Sequence, residues 1–470
     1  MPSGLDLAPR ARFEDACDAE TEGKPEMSHA MLEKFVEGAA DRHGIPGLAV
    51  GVWVDGREVF AGHGVTSVEN PLPVNEDTLF LLGSVTKTYT ATVIMRLAAE
   101  GKIDLDAPVT AYVPEFGRSD ITIKHLVNHT SGLDWGVMED TGENDDALAR
   151  YVDYFAALPP IAQPGERTSY SQGGYNLLGR VIEKVTGMTF ERAVAELLLQ
   201  PLGLQRSFFS REDVMTRRFA VGHDLGQGGT LTVSRPWRHW RGDAPGGGIA
   251  TSIGDLLRWA RFHLGEERAE VVSAEVRSTM RVQTAVLRAS SMGDGVGLGW
   301  FLRERDGVLL AGHGGSANGQ FAELLVVPER NFAVAVASNA GPNGIPCNQE
   351  IVRWALEHFI GVIDKDPEPE PFDHDKAAQI IGNYANDAMT LQIRAEGARL
   401  VLEAKIKPEL REMAEVELPQ DHEPFEFGLL PGDEYVITSG AFVGQRGFFS
   451  RDPHGIVVGV DLGGRLFGRV

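Results

Sequence analysis

The chain has 470 residues, 44 basic and 67 acidic, for a net charge of -23. Its 43% hydrophobic and 24% charged residues are ordinary for a soluble globular protein, and the length points to two domains. So acidic a surface repels nucleic acid and anionic lipid, which excludes both as expected partners.

Residues 1–27 carry no apolar core segment and read as a flexible tail, neither a secretory signal nor an anchor. No other run reaches the roughly 20 apolar residues of a membrane span. Cys17 and Cys347 lie far apart and show no metal spacing, so no disulfide is expected, and a reducing cytoplasm fits. An amphipathic helix is expected over Met31–Ala40. In GLAVGVWVDGREVFAGHGV, Asp55-Gly56 separates two apolar runs, a hairpin signal. Helical spacing recurs over Thr86–Glu100, Tyr175–Val185, Phe190–Gln200 and Ser252–Leu264, with Gly101 and Gly187 closing the first two. Ser252-Ile-Gly-Asp255 has capping-box spacing, with Asp in place of Glu. Strand patterns follow at Val308–Ala311, Glu323–Val327 and Phe332–Ser338, then a helix near Gln349–Phe359. A hairpin, then helices, then strands predicts a layered α/β domain over residues 28–362 whose sheet joins both ends of the segment.

The acidic, proline-rich stretch DKDPEPEPFDHD marks a stiff linker, assigned to residues 363–374. Residues 375–470 then alternate in short runs: Thr390–Ala395, Leu400–Leu402, Tyr435–Ile437, Gly447–Phe449, Ile456–Val460 and Arg465–Phe467. Turns such as Pro431-Gly-Asp433 and Gly463-Gly464 separate them, which predicts a small antiparallel barrel or sandwich.

The chemistry centres on GSVTKTYTA, residues 83–91. Ser84 and Lys87 stand three apart at a helix start, so their side chains share one face. The free N–H groups and positive dipole end there suit a serine attacking a carbonyl, with Lys87 as base if burial lowers its pKa from about 10.4. Alone, the pair reads equally as a helix cap beside a solvated lysine. Two further segments decide between these readings. PGERTSYSQGGYNLLGRVIEKVTG places Tyr170-Ser171-Gln172 just before a helix, and GHGGSANG places His313-Gly314-Gly315 beside apolar strands; HLVNHTSGL lies between Ser84 and Tyr170.

With these motifs, residues 28–362 resemble the serine β-lactamase and penicillin-binding superfamily, on its class C and D-alanyl-D-alanine carboxypeptidase side. SxxK, a tyrosine motif and HxG in place of KTG occur in order, and PGERTSYS…GYNLLG and LVNHTSGL are similar beyond the motifs. The resemblance implies a β-lactamase-like transpeptidase fold: an antiparallel sheet flanked by helices. It implies Ser84 as acylated nucleophile, Lys87 as proton acceptor and Tyr170 as proton shuttle. It also implies an oxyanion hole from the N–H groups of Ser84 and Ser316, with Gly315 alongside as a substrate contact, and His313 near Tyr170 and substrate. No cofactor is implied. Two departures stand out. Gln172 occupies the position where the family has asparagine, adding a methylene to an amide expected to touch lysine and substrate. His313 replaces a lysine of true β-lactamases; a neutral imidazole anchors a carboxylate poorly, which favours esters, amides or D-residue peptides over penicillins.

Other residues weigh less. His129 in HTSG reads as a packing element. Arg235, Arg238 and Arg241, interleaved with Trp237 and Trp240, offer cations for a substrate carboxylate, with Trp237 and Arg238 as candidate contacts; a solvated loop explains them equally. Glu139–Asp146 reads as a solvated loop or lid. The 13 histidines show no metal spacing, so no metal is expected. The C-terminal module resembles the lipocalin-like barrels that follow the catalytic domain in some D-aminopeptidases, peptidases and penicillin-binding-type thioesterases. The leading expectation is a serine hydrolase acting on a small-molecule or peptide ester or amide. Its alternatives are an acyltransferase or peptide cyclase using the same acyl-enzyme, and a non-catalytic β-lactam or peptide-binding module. A homo-oligomer is left open.

Overall fold

The computed structural model describes residues 15–470 apart from 138, 226–229, 236, 238–239, 266–267, 289, 387, 414–420 and 422, with the backbone alone for 15–28, 225, 413 and 441. The first strands, β1 (Gly47–Val54) and β2 (Arg57–Gly64), form the expected hairpin, turned by Asp55 and Gly56 at φ 51° and 76°. Six more strands complete the sheet: β3 (Ala285–Val286), β4 (Gly295–Val296), β5 (Phe301–Arg305), β6 (Val308–Ala317), β7 (Gln320–Val327) and β8 (Phe332–Ser338). Among the described residues its order is β2-β1-β8-β7-β6-β5-β4-β3, antiparallel throughout. Leu48 lies opposite Ser338, so strands from the two ends of the segment pair directly, one strand in from an edge of the sheet.

Strands β1 and β8 are buried along almost their whole length because both faces are covered. One face carries α1 (Asp15–His43) and α6 (Gly344–Ile360), with Leu32, Val36, Cys347 and Ile351 in the core; burial pushes the Cys347 thiol up to about 12. The other face carries α5 (Ile253–Leu264) and the helical layer around α2 (Thr86–Ala99). Helix α2 is buried nearly all round, as a helix at the centre of a domain must be. Its threonines are satisfied locally: Thr92 Oγ1 donates to Thr88 O at 2.7 Å and Thr88 Oγ1 to Val85 O at 2.8 Å.

Three local expectations change. Helix α1 begins at Asp15, inside the segment read as tail; residues 1–14 lie outside the described residues. The helix expected over Phe190–Gln200 splits into Phe190–Val194, a wider π turn over Ala195–Leu199, and Gln200–Leu202. Pro201 has no N–H for the carbonyl four residues earlier, Leu197, and the Arg96 guanidinium donates to it instead. At Ser252 only half of the capping box forms. Ser252 Oγ accepts from Asp255 N at 3.2 Å, while the Asp255 carboxylate accepts from Arg206 N and Ser207 Oγ.

The C-terminal region is a closed antiparallel barrel of β9 (Gly382–Ala385), β10 (Met389–Glu396), β11 (Arg399–Ile406), β12 (Phe425–Leu430), β13 (Glu434–Ile437), β14 (Arg446–Arg451), β15 (Val457–Leu462) and β16 (Arg465–Arg469). Pairing of Tyr384 with Arg469 closes it around Tyr384, Leu402, Tyr435, Phe449 and Phe467. The segment before it is held between the domains. Asp364 pairs with Arg305 at 2.8 Å and Arg303 at 3.2 Å, the Arg353 guanidinium binds Asp366, and Glu370 N donates to Leu429 O at 2.8 Å. From the barrel, Arg446 reaches Asp294 and Ser290 O of the sheet domain at 2.8 and 2.9 Å.

Candidate active site

Ser84 sits on a single 3₁₀ turn, Gly83–Val85, that runs straight into α2. Gly83 has φ 52°, and the notional Cβ of any other residue there would lie 2.4 Å from Ser316 O. Gly315 fits as tightly: a Cβ would fall 2.0 Å from Leu82 O and 2.8 Å from Ser84 N. Strand β6 and the serine turn are thereby in backbone contact, which brings the Ser84 and Ser316 amides side by side.

One helical turn on, Lys87 is fully buried. Its Nζ donates to Ser84 Oγ at 3.1 Å, to Gly246 O at 2.7 Å, and to Gln172 Oε1. Burial, opposed by the charge of Asp243, brings its pKa down to about 7. An amine in that range is half-deprotonated near neutral pH, as a base for a serine must be.

Tyr170 stands just ahead of α4 (Gln172–Thr186), whose cap is Ser171: its Oγ accepts from Gly174 N at 3.0 Å and donates to Asp134 O at 2.8 Å. Tyr170 and Ser84 line the same cavity, and Lys87 Nζ lies 4.9 Å from the Tyr170 ring centroid. Burial raises the pKa of Tyr170, while the neighbouring Ser84 hydroxyl and the Arg465 charge pull it down. His313, on β6, is buried with its ring 6.4 Å from that of Tyr170, and its Nδ1 donates to Gly314 O at 2.6 Å. Burial and the Lys87 charge lower it to about 3, so the ring is neutral. His129, at φ 60°, accepts from Ser171 N and packs 4.6 Å from Tyr170, which is the packing role expected of it.

A cavity of about 380 Å³ opens over Ser84, Tyr170, His313, Gly315 and Ser316. Gln172 is buried beside Lys87. Among the described residues, none of the expected cationic loop lines this cavity. Arg235 pairs with Glu69 at 2.6 Å, and Arg241 with Glu191 and Asp145, both at 2.8 Å. Asp145 belongs to the acidic run, which is thereby tied down. Trp237 packs edge-on to Phe219, away from the cavity, and Arg238 lies outside the described residues. Of the cations that do line the cavity, Arg465, on the barrel's β16, is the one whose charge acts on both Tyr170 and Lys87. Its guanidinium lies 5.0 Å over the Trp135 ring and has no carboxylate at ion-pair distance among the described residues. Among those residues no three His, Cys, Asp or Glu side chains cluster as metal ligands would, and no helix is long and apolar enough to cross a membrane.

The Beta-lactamase family matches residues 32–353. The chain belongs to that family. Penicillin-binding protein 4 of Amycolatopsis lactamdurans is 34% identical over 380 residues, 77% of this chain and 98% of that protein. Across nearly the whole chain the fold matches the crystal structure of SurE with D-Leu: TM-score 0.73, 26% identity, 95% of this chain and all of that one. The octameric penicillin-binding protein homologue from Pyrococcus abyssi matches with TM-score 0.64 and 27% identity, over 94% of this chain and 98% of that one. The family is one of β-lactamase and penicillin-binding-type serine hydrolases, and the C-terminal barrel accompanies its domain here.

Three neighbours of the motifs escaped the sequence reading: Asp243, Asn176 and Arg465. Asp243 lies in the very RGDAPGGG segment inspected for its arginines, and Asn176 is one helical turn from Gln172. Nothing local marks Arg465, because its placement depends on how two domains dock.

Proposed function

We propose that the protein is a serine hydrolase that forms an acyl-enzyme on Ser84 from an ester or amide. The observation that carries this is Lys87: fully buried, 3.1 Å from Ser84 Oγ, and lowered to about 7. Ser84 Oγ attacks the substrate carbonyl while its proton passes to Lys87, directly or through Tyr170. The oxyanion lies between the Ser84 and Ser316 N–H groups. Collapse expels the alcohol or amine, which takes the proton back, and water repeats the sequence to release the acid. Retention of base, hydroxyl and donors around the serine speaks against a silent binding module.

The substrate we favour carries a carboxylate and is an ester, amide or D-residue peptide. Neutral His313 offers no charge, whereas Arg465 offers one with no carboxylate at ion-pair distance among the described residues. The match to SurE with D-Leu supports the same class, since a free D-amino acid pairs an amine with a carboxylate. Transfer to such an amine instead of water is the second reading, favoured by this one observation. The test is intact-protein mass spectrometry with a fluorophosphonate, then turnover of p-nitrophenyl esters, D- and L-aminoacyl anilides and nitrocefin. One adduct on a Ser84 peptide, absent in Ser84→Ala, is expected, with esters or D-anilides outpacing nitrocefin. Activity surviving Ser84→Ala would overturn the assignment of the nucleophile; faster turnover of nitrocefin would overturn the substrate class.

A further inference from the structure

The Lys87 ammonium is one member of a closed ring of hydrogen bonds. Lys87 Nζ donates to Gln172 Oε1 and to Gly246 O. Gln172 Nε2 donates to Asp243 Oδ1 at 3.4 Å, and Asn176 Nδ2 donates to the same oxygen at 2.5 Å. Gly246 N donates to Asn176 Oδ1 at 3.1 Å, which returns the ring to its start. The segment carrying Asp243 and Gly246 is pinned to α2, with Thr90 Oγ1 donating to Pro245 O at 2.7 Å and Ile249 N to Thr86 Oγ1 at 3.2 Å.

We propose that Asp243 is a positioning residue for the reaction at Ser84, acting on Lys87 through the Gln172 amide, and that glycine at 246 is the space that lets a glutamine do this. An amide between an ammonium and a carboxylate has one favourable orientation, oxygen to the cation and nitrogen to the anion. Asp243 therefore decides which way Gln172 faces and keeps an acceptor on Lys87 Nζ. The longer side chain fits because residue 246 has no Cβ; one there would lie 2.1 Å from Gln172 Nε2. The proposal rests on Ser84 as nucleophile and Lys87 as its base.

Charge enters as well. The groups facing Lys87 are Asp243 on one side and Arg465 from the barrel on the other, with the His129 and His313 rings and the faces of Tyr170 and Tyr175 between. Burial holds both histidines neutral, which leaves Asp243 as the anion that favours the ammonium. Asp243 itself is raised by burial and lowered by the two amides and by Lys87. Tyr151, the other titratable group beside it, is raised by burial and then by the Asp243 charge.

The experiment measures kcat/KM against pH on an activated ester, with the rate of fluorophosphonate adduct formation at Ser84 as a second readout. Asp243→Asn keeps the shape and removes the charge, so its acidic limb should move down by about one pH unit. Asp243→Ala should lower both rates by about 10- to 100-fold, as loss of a positioning contact does. Gly246→Ala should be comparably slow, and adding Gln172→Asn should restore at least about fivefold, because the shorter amide vacates the space the new methyl needs. A wild-type pH profile in Asp243→Asn, or a double variant equal to the product of its singles, would overturn the proposal. Wild-type protein that takes no adduct on Ser84 would instead overturn the underlying assignment of the nucleophile.

Discussion

Two cations approach the same tyrosine from different domains, and they are built in opposite ways. Lys87 is fully buried, held by neutral oxygens of Ser84, Gln172 and Gly246, and brought down to about 7. Arg465 comes from the barrel, rests on the face of Trp135, and lines the cavity with no carboxylate paired to it among the described residues. The first is arranged to surrender its charge, the second to keep it, since a guanidinium does not deprotonate in a protein. A base needs acceptors that tolerate its neutral form. A recognition cation needs its anion withheld until substrate brings one.

That contrast can be broken by substitution. The largest effects belong to the base and its partner. Lys87→Met and Tyr170→Phe should each cut kcat/KM by about 10³-fold, with the double variant losing far less than the product, as groups acting in one relay do. Near-normal turnover by Tyr170→Phe would remove the tyrosine from the relay. Next comes Arg465→Met, with about 10- to 100-fold loss on a substrate bearing a carboxylate and little on its neutral amide counterpart. Equal losses on both substrates would show that Arg465 shapes the site instead of reading charge.

The pH dependence gives a smaller effect. Lys87 accepts a proton only as the free amine, and burial lowers its pKa to about 7. Activity should therefore rise as pH climbs through about 7 and then level off. A limb centred above 9 would mean that Lys87 titrates like an exposed lysine. The smallest change is expected from Arg235→Ala. Arg235 is exposed and already paired with Glu69, so steady-state rates on the carboxylate substrate should stay within about twofold of wild type, as exposed pairs contribute little.

The hairpin at Asp55-Gly56, the strand Phe332–Ser338 and the helix from Thr86 were legible because their pattern is local: turn chemistry, an apolar run, a 3.6-residue period. Strands Gly382–Ala385 and Phe425–Leu430 were not, since short, half-exposed strands of a barrel carry weak alternation. In the site, Ser84 and Lys87 are near in sequence, and Tyr170 and His313 were found through motif order. The arginine-rich loop misled because charge along a sequence does not reveal partners. Glu69, Glu191 and Asp145, all distant in sequence, neutralise two of its three arginines. Arg465 needed the reverse information, that no carboxylate among the described residues pairs with it.

The tip of the hairpin bearing Arg465 is Gly463-Gly464, two residues at φ 61° and 77° between β15 and β16. Gly464 packs close to Met292 and Tyr170. A two-residue turn of this kind is set by its own backbone and leaves the strands on either side in register. The proposed function thereby divides charge recognition and reactivity between two domains. On the proposed function, a change of side chain at the barrel tip should alter which substrate is admitted while leaving the fold around the serine as it is, although the Arg465 charge also reaches Tyr170 and Lys87. In descent or in the laboratory, such a protein can be given a new diet by editing a turn about 380 positions away from its nucleophile, well beyond the reach of any local sequence signal.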